Sequence, residues 1–438
     1  MLVEFSVENY RSFKERQTLS MVASEDKAML HSNSFPMPKT KDLHLLTSAV
    51  IYGANASGKS NLLRAMRTLQ KIVVSSASRM QMGDKFDIEP FLLNAESKKQ
   101  PTSFEVIFID NQIRYEYGLT LDQKRVYEEW LLAYPKGRAQ TWFSRTYNPE
   151  NPNFKADDGY EWSFGAGLKG EKERIKKFVR SNSLFLSHAA QNNHPQLTEV
   201  FQWFRKNLNL ISPDFSSPYT AHRCQEDKEF CQEVVNLLIQ ADIGISDIEI
   251  EMRSFSSLPD EIKIALENIT DVIQGNENNN KIPKMNADNL QILGIQAMHK
   301  MMDSEKFVPL DMGDESEGTQ RLFELAGSWL SVLKDGELLM IDELDRSLHP
   351  VLSTALARMF NNPDINKNQA QLIFTTHDTS LLDGEIFRPD QIWFTEKDKS
   401  MTKLYSLYEF QPCEDESLQK GYLKGRYGAI PFVGGLNI

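Results

Sequence analysis

Cysteine is scarce in this chain of 438 residues: Cys224, Cys231 and Cys413 are the whole set. An odd, widely spaced trio without a Cys-x-x-Cys pair excludes a disulfide framework and a structural zinc site of the usual spacing, and the three read as ordinary thiols. Long apolar runs are also missing. Nothing approaches the ~20 apolar residues that a bilayer crossing requires. The opening Met-Leu-Val-Glu-Phe-Ser-Val-Glu has neither the basic nor the apolar segment of a secretory leader. A cytoplasmic location with no membrane partner is expected. Positive charge is in deficit, with 49 Lys and Arg against 61 Asp and Glu, a formal charge of −12. That excludes a generally basic coat for nucleic acid but not a local basic groove on an acidic body. No repeat of fixed period is visible, which argues against a solenoid or a propeller.

What is present is ordinary globular composition, 40% hydrophobic and 25% charged, in a length that suggests two or three domains. Val3, Phe5 and Val7 alternate with Glu4, Ser6 and Glu8, the pattern of a half-buried strand. Ser48-Ala49-Val50-Ile51-Tyr52 is a short buried strand running into Gly53-Ala54-Asn55-Ala56-Ser57-Gly58-Lys59-Ser60. Leu62, Leu63, Met66, Leu69 and Val73 then recur at helical spacing. Phe104 to Ile109 and Ile113 to Leu119, separated by Asp110-Asn111, predict a hairpin and therefore a sheet that is not purely parallel. Further buried strands are predicted at Leu338–Ile341, Leu372–Thr376, Ile392–Thr395 and Leu404–Leu407. Between about Trp130 and Glu305 the periodicity is mostly helical and charged, with a polar loop expected over Gly275–Asn280. One nucleotide-binding domain built from both ends of the chain follows: a lobe over residues 1–130, a mostly helical insertion over 131–304, and a second lobe over 305–438.

The run Gly53 to Ser60 matches G-x-x-x-x-G-K-[ST]. Its glycines let backbone N–H groups turn inward around phosphates, Lys59 can reach the β/γ oxygens, and Ser60 can ligate Mg²⁺. The flanking strand and helix are the context such a loop needs. Ser57, Gly58 and the adjacent Asn61 belong to the same candidate ATP site. Leu338-Leu339-Met340-Ile341-Asp342-Glu343 is an apolar strand ending in two carboxylates, the form in which acidic groups are presented beside bound Mg²⁺-nucleotide. Asp342 is the candidate metal holder and Glu343 the candidate base for the attacking water, against the alternative of a solvated acidic turn. Glu315-Ser316-Glu317-Gly318-Thr319-Gln320 precedes a helix and offers a hydroxyl and N–H groups to a phosphate, or simply an N-cap at Ser316. His377 stands after the strand Leu372–Thr376, where an imidazole could touch a γ-phosphate or water, although a lone His is more often structural. Asp345 follows the acidic pair at the distance of a loop that crosses a dimer interface.

Taken in order, Asn9-Tyr10-Arg11-Ser12-Phe13, Gly53 to Ser60, Ser316 to Gln320, Leu338 to Glu343, Asp345 and Thr376-His377-Asp378 resemble the ABC-type ATPase heads of the SMC, RecF and OLD group. The stretches from Ser48 to Ser60, Glu89 to Leu93 and Gly425 to Pro431 look more closely like the stand-alone bacterial defence ATPases of the RloA or AbiL type. The resemblance implies an α/β fold: an ABC-type P-loop ATPase head, a mixed sheet with flanking helices, carrying a largely helical insertion domain. It implies ATP and Mg²⁺ as cofactors and a homodimer or higher homo-oligomer, with ATP between Lys59 of one copy and Ser316 and Gly318 of the other. It further implies that Arg11 and Asn55 line the phosphate site and that His377 is the switch histidine. Glu317 stands where that family commonly has glycine. Gln191, in Ser183 to Gln191, is the candidate metal-side glutamine, with an insertion-domain residue as the alternative.

Two basic features stay open on the sequence alone. Lys169, Lys172, Arg174, Lys176, Lys177 and Arg180 could face a nucleic-acid backbone or, with Glu171 and Glu173, form a solvated helix. Gly421 to Tyr427 could contact a partner or pack on the head. Roughly 60 residues follow His377, too few for a fused nuclease domain of typical size. Toxic activity is therefore expected in a separate effector, Toprim-like or of the RloB type. The leading expectation is an ATPase that senses infection and controls that effector in abortive-infection defence. The alternatives are a DNA repair or maintenance ATPase of the SMC or RecF kind, with nucleic acid as partner, and an ATP-dependent assembly scaffold. The roughly 250 residues between Ser60 and Ser316 fit poorly with a transport subunit, where the segment is far shorter.

Overall fold

The alternating start of the chain forms β1 (Leu2–Glu8), paired antiparallel with β2 (Gln17–Ser20). The computed structural model describes residues 1–38, 40, 43–150, 159–212, 218–241, 243–254, 263, 291–413 and 416–431; the polar run at 275–280 lies outside them. A short helix α1 (Leu30–Asn33) and the small pair β3 (Ser34–Pro36) and β4 (His44–Leu46) lead to β5 (Ser48–Gly53), all six residues of which are buried. The glycine loop follows, and then α2 (Lys59–Ser75). Leu62, Leu63, Met66, Leu69 and Val73 are buried along one face of α2, the periodicity visible in the sequence. Each such burial stabilises by about 1.5–3 kcal/mol.

The predicted hairpin is β6 (Thr102–Asp110) and β7 (Ile113–Leu121). Its turn falls on Asn111 and Gln112, both with positive φ (46° and 62°), the two-residue geometry whose twist matches the strands. The antiparallel sheet continues through β8 (Val126–Tyr134), β9 (Gln140–Tyr147) and β10 (Tyr160–Phe164), giving the order β10-β9-β8-β7-β6-β1-β2. The hairpin thus belongs to a separate antiparallel sheet and not to the sheet that carries the glycine loop. Three helices follow: α3 (Lys172–Lys176), α4 (Phe185–Gln191) and α5 (Pro195–Asn207). Trp203 of α5 stacks on Phe108 of β6 at 3.9 Å between ring centroids.

Inside this layer is a fully buried ion pair, Arg145 Nε to Glu129 Oε2 at 3.1 Å. Glu129 also accepts from the Phe185 and Leu186 N–H groups (2.8 and 3.0 Å) and from Tyr117 Oη (3.1 Å), so it pins the start of α4 to the sheet. Removing one partner leaves the other charge buried and unpaired. Arg145→Met is expected to lower the unfolding free energy by about 3–5 kcal/mol in a denaturant titration, and a loss below about 1 kcal/mol would contradict this account.

Next comes β11 (Leu208–Ile211), which pairs parallel with a strand from the far end of the chain. The inserted compact unit spans Ser216–Ser331, and the rest, Met1–Phe215 with Val332–Ile438, forms the other. The inserted unit contains α6 (Tyr219–Glu226), α7 (Lys228–Gln240), the three-stranded sheet of β12 (Asp247–Ser254), β13 (Gln291–Lys300) and β14 (Phe307–Asp311), and most of α8 (Glu317–Asp335). The expected boundaries at 131 and 305 therefore move. Residue 131 lies inside β8, held by β7 and β9, while β14 pairs with β13 and carries the chain past 305 within the same unit. Beside the expected helices, this unit has a sheet of its own.

The returning chain supplies β15 (Leu338–Ile341), α9 (Pro350–Phe360), β16 (Gln371–Thr375), β17 (Ile392–Asp398), β18 (Met401–Ser406) and α10 (Leu418–Leu423). The central sheet has the order β11-β15-β16-β5-β17-β18, parallel except for β18. It is a mixed sheet flanked by helices, with the strand of the glycine loop and the acidic strand separated by β16. Buried residues of both sheets and of α2 share one apolar core.

Two members of the basic run at 169–180, Lys172 and Arg180, are tied into this packing. Lys172 Nζ donates to Gly165 O and Leu168 O, and Arg180 Nη2 donates to Met80 O. The C-terminal tail packs as well: Tyr422 stacks on Phe394 with 5.4 Å between centroids, and Tyr427 is fully buried.

Candidate functional site

Parallel strands place their C-terminal ends side by side, and loops leaving those ends form the usual crevice of an α/β sheet. Here β5 ends in the glycine loop, β15 in Asp342-Glu343 and β16 in Thr375-Thr376-His377. Ser60 Oγ donates to Asp342 Oδ1 at 3.0 Å, and Thr375 Oγ1 donates to the same oxygen at 2.7 Å. Thr375 Oγ1 in turn accepts from the Glu343 N–H at 2.8 Å, while its carbonyl accepts from Leu344 N at 3.0 Å. Glu343 sits at φ 56°, a left-handed turn that this hydroxyl holds in place. Asp342 is buried and its own N–H is taken by Ile211 O.

Lys59 is buried, with Nζ donating to Gly53 O (2.7 Å) and Ala54 O (3.3 Å) across its own loop. Burial lowers its pKa, against the opposing pull of Asp342, Glu343 and Asp345. The ammonium is thus desolvated beside three carboxylates. His377 lies at the exposed mouth, and its N–H points at both Asp345 carboxylate oxygens at 3.3 Å. Partial shielding and the Lys59 charge lower its imidazole pKa, so the ring is neutral at pH 7.

The structure places the other expected residues as follows. Asn55 is exposed at the loop tip beside Ala56, which has φ 62°. Gly58 has φ 118°, and a Cβ there would lie 2.3 Å from Thr402 Oγ1, so the loop tolerates only glycine. The Ser57 hydroxyl is turned into the protein, bonded to Thr395 Oγ1 at 2.6 Å, and it braces the loop instead of facing its cavity. Asn61 Nδ2 is spent on Ser12 Oγ at 2.9 Å, and Thr402 N donates to Ser12 O at 2.8 Å, which brings the segment Asn9–Phe13 against the loop. Arg11 lies in that segment with its guanidinium 3.4 Å from Glu89 and over the Tyr10 ring.

One expectation needs correction. Gln191 lines a cleft beside Arg67–Arg79 of α2 and its C-terminal extension, not the phosphate loop. That part of α2 begins eight residues past Lys59, about 12 Å along the axis at 1.5 Å per residue. The reason is that Ser187 of α4 bonds to Val73 O and Ser76 Oγ and so fixes α4 at the far end of α2. Ser316 and Gly318 belong to the inserted unit. There Ser316 Oγ accepts from Thr319 N at 3.1 Å, the N-cap of α8, and the exposed Ser316 and half-buried Gly318 stand at that helix start.

Thr375, Thr395 and Thr402 escaped the sequence reading as site residues, and Ser12 entered it only within the motif Asn9–Phe13. The available signal for Thr375 was a pair of threonines closing an otherwise apolar strand directly before His377. Since Thr375 satisfies both Asp342 and Glu343, Thr375→Val is expected to cut kcat by about 10–100-fold and to cost about 1–3 kcal/mol in stability. Steady-state phosphate release and a thermal melt check this, and wild-type turnover would contradict it.

Ser60 Oγ and Asp342 Oδ1 converge as two hard oxygen donors with Lys59 alongside, a donor set suited to Mg²⁺ held jointly with nucleotide phosphates. Among the described residues no cluster of three or more His, Cys, Asp or Glu offers a metal site, and this pair requires none. No described helix is long and apolar enough to cross a membrane.

No curated protein matches the chain. Among solved structures it is similar to the SMC head domain from Thermotoga maritima at 12% identity, over 92% of this chain and 98% of that one, with a TM-score of 0.37. Residues 48–383, from the strand of the glycine loop to just past His377, match one family over most of the chain, and the protein belongs to that family, described as "AAA domain, putative AbiEii toxin, Type IV TA system".

Proposed function

We propose that the chain is an ATP phosphohydrolase that works as a homodimer or higher homo-oligomer and controls a separate effector in antiviral, abortive-infection defence. The observation that carries the hydrolytic part is the Ser60–Asp342–Thr375–Glu343 chain of hydrogen bonds beside Lys59. Ser60 and Asp342 would hold Mg²⁺, which supplies charge neutralisation at the phosphates. Lys59 exchanges its two loop carbonyls for β/γ-phosphate oxygens. Glu343, fixed at its backbone by Thr375, takes the proton of the attacking water on its carboxylate. Neutral His377 is positioned to donate to a γ-phosphate oxygen, with Asp345 orienting its backbone. The defence role is supported by the toxin–antitoxin wording of the family description and by the resemblance in the motif set.

The oligomeric reading is supported by the position of Ser316 at an exposed helix start, where N–H groups and the helix dipole favour a phosphate. Mixing two inactive chains tests it. Lys59→Ala disables the loop and Ser316→Arg disables the helix start. If the site is shared between copies, each variant alone is inactive, and an equimolar mixture recovers about a quarter of wild-type turnover, one live site in each mixed dimer. Full activity of Ser316→Arg alone would leave the loop acting without a second copy. Challenge of cells with phage, with and without the neighbouring reading frame, tests the defence role.

A further inference from the structure

A cleft of about 860 Å³ lies in the larger unit, between one face of α2 and one face of α5. Its α2 wall carries Arg67 and Lys71, one helical turn apart, with Arg79 just beyond the helix end; its α5 wall carries Thr198 and Arg205, two turns apart. Among the described residues no carboxylate lines it. On a chain of charge −12, four converging cations run against the average.

These cations are poorly matched from within. The side chains of Arg79 and Arg205 have no ion-pair or hydrogen-bond partner among the described residues. Arg67 reaches only Gln70 Oε1, at 3.5 Å. The pair of Lys71 with Asp87, 3.2 Å, is exposed on both sides and contributes little. The Thr198 hydroxyl is buried beneath the α5 wall with no partner among the described residues, and it does not open on the cleft. The carbonyls of Ser76 and Met80 past the end of α2 would repel an anion, but Arg180 Nη2 already caps both. Guanidinium groups match phosphate oxygens in a two-pronged geometry, and the volume lies within the roughly 300–1,000 Å³ of small-molecule sites.

We propose that this cleft binds a phosphate-bearing ligand, a free nucleotide or a short run of phosphodiester, at a site separate from the one at Lys59. Arg79 and Arg205 are the principal contacts, with Arg67 and Lys71 on the α2 wall beside them. Because α2 starts at Lys59 and ends in the cleft, the two sites share one rigid element.

The full chain carrying Lys59→Ala, which silences the phosphate loop, is titrated with a fluorescein-labelled single-stranded oligonucleotide and, separately, with a fluorescent nucleoside triphosphate. The same chain with Arg79→Gln and Arg205→Gln added is the comparison. Affinity for at least one probe is expected to fall about tenfold or more. For the single-stranded oligonucleotide, the slope of log affinity against log salt should shrink by about 1.4. Loss with the oligonucleotide identifies phosphodiester; loss with the triphosphate alone identifies a free nucleotide. Equal affinities with and without the two substitutions, or no binding of either probe, overturn the proposal. With Lys59 intact, Arg79→Gln/Arg205→Gln should keep wild-type ATP turnover and melting temperature, which separates a lost ligand from a lost fold. The test does not depend on hydrolysis, so its failure and the failure of the ATPase reading are distinguishable.

Discussion

Glu343→Gln is expected to reduce ATP turnover by about a thousandfold while ATP still binds, because the substitution removes the proton acceptor and little else. The amide has the size of the carboxylate, the backbone keeps its left-handed turn, and the Glu343 N–H bond to Thr375 Oγ1 involves no side-chain atom of residue 343. Asp342, which carries the other hydroxyl contacts, is untouched. Single-turnover quench experiments read the chemical step, and equilibrium binding of labelled ATP reads the site. With hydrolysis blocked, ATP-bound oligomers should accumulate on sizing. Turnover within about threefold of wild type would remove Glu343 from the role of base and leave the acidic pair as a metal-side feature only.

The second large effect is at Lys59. Lys59→Ala is expected to lower kcat/KM by about a thousandfold, close to 4 kcal/mol of lost transition-state stabilisation. The ammonium is the one cation buried within the loop, and its bonds to Gly53 O and Ala54 O hold it where phosphate oxygens would replace those carbonyls. In the absence of nucleotide the substitution should be nearly neutral for stability. It loses two hydrogen bonds but also removes the burial cost that lowers the Lys59 pKa. The distinguishing signature is therefore differential. Wild-type protein gains melting temperature as ATP is added and the variant does not. A variant that melts far lower than wild type without ATP would mean that Lys59 acts mainly as a structural clamp.

Much of this site was legible because its chemistry is local. A glycine loop between a buried strand and an amphipathic helix occupies one continuous stretch, as does an apolar strand with two terminal carboxylates. Gly58, Lys59, Ser60, Asp342 and Glu343 could be placed relative to their own elements without knowing the fold. Thr375, Thr395 and Thr402 could not, since each acts by meeting a group more than 30 residues away, and a threonine in a strand has the same local pattern whether or not it does so. Gln191 failed for the reverse reason. It matched a residue type without any local constraint on where its helix would dock, and the bond from Ser187 to Val73 decided that. The domain boundaries moved because strand pairing outranks local periodicity: β8 to β10 mix aromatic, apolar and polar side chains without strict alternation, and their pairing with β7 and with one another fixes them as strands.

The strand order of the central sheet also governs when the nucleotide site can exist at all. β5 is flanked by β16 and β17, and Ser57 is braced by Thr395, 338 positions later. At translation rates of about 5–20 residues per second, the loop would wait on the order of 20 to 70 s for that support after it leaves the ribosome. During that interval β5, buried along its whole length in the finished fold and apolar from Ala49 to Ile51, has both edges open and can join another chain as readily as its own. A nascent chain halted before residue 371 should therefore fail to retain ATP and should recruit holding chaperones through this strand, so ATP competence reports completed synthesis.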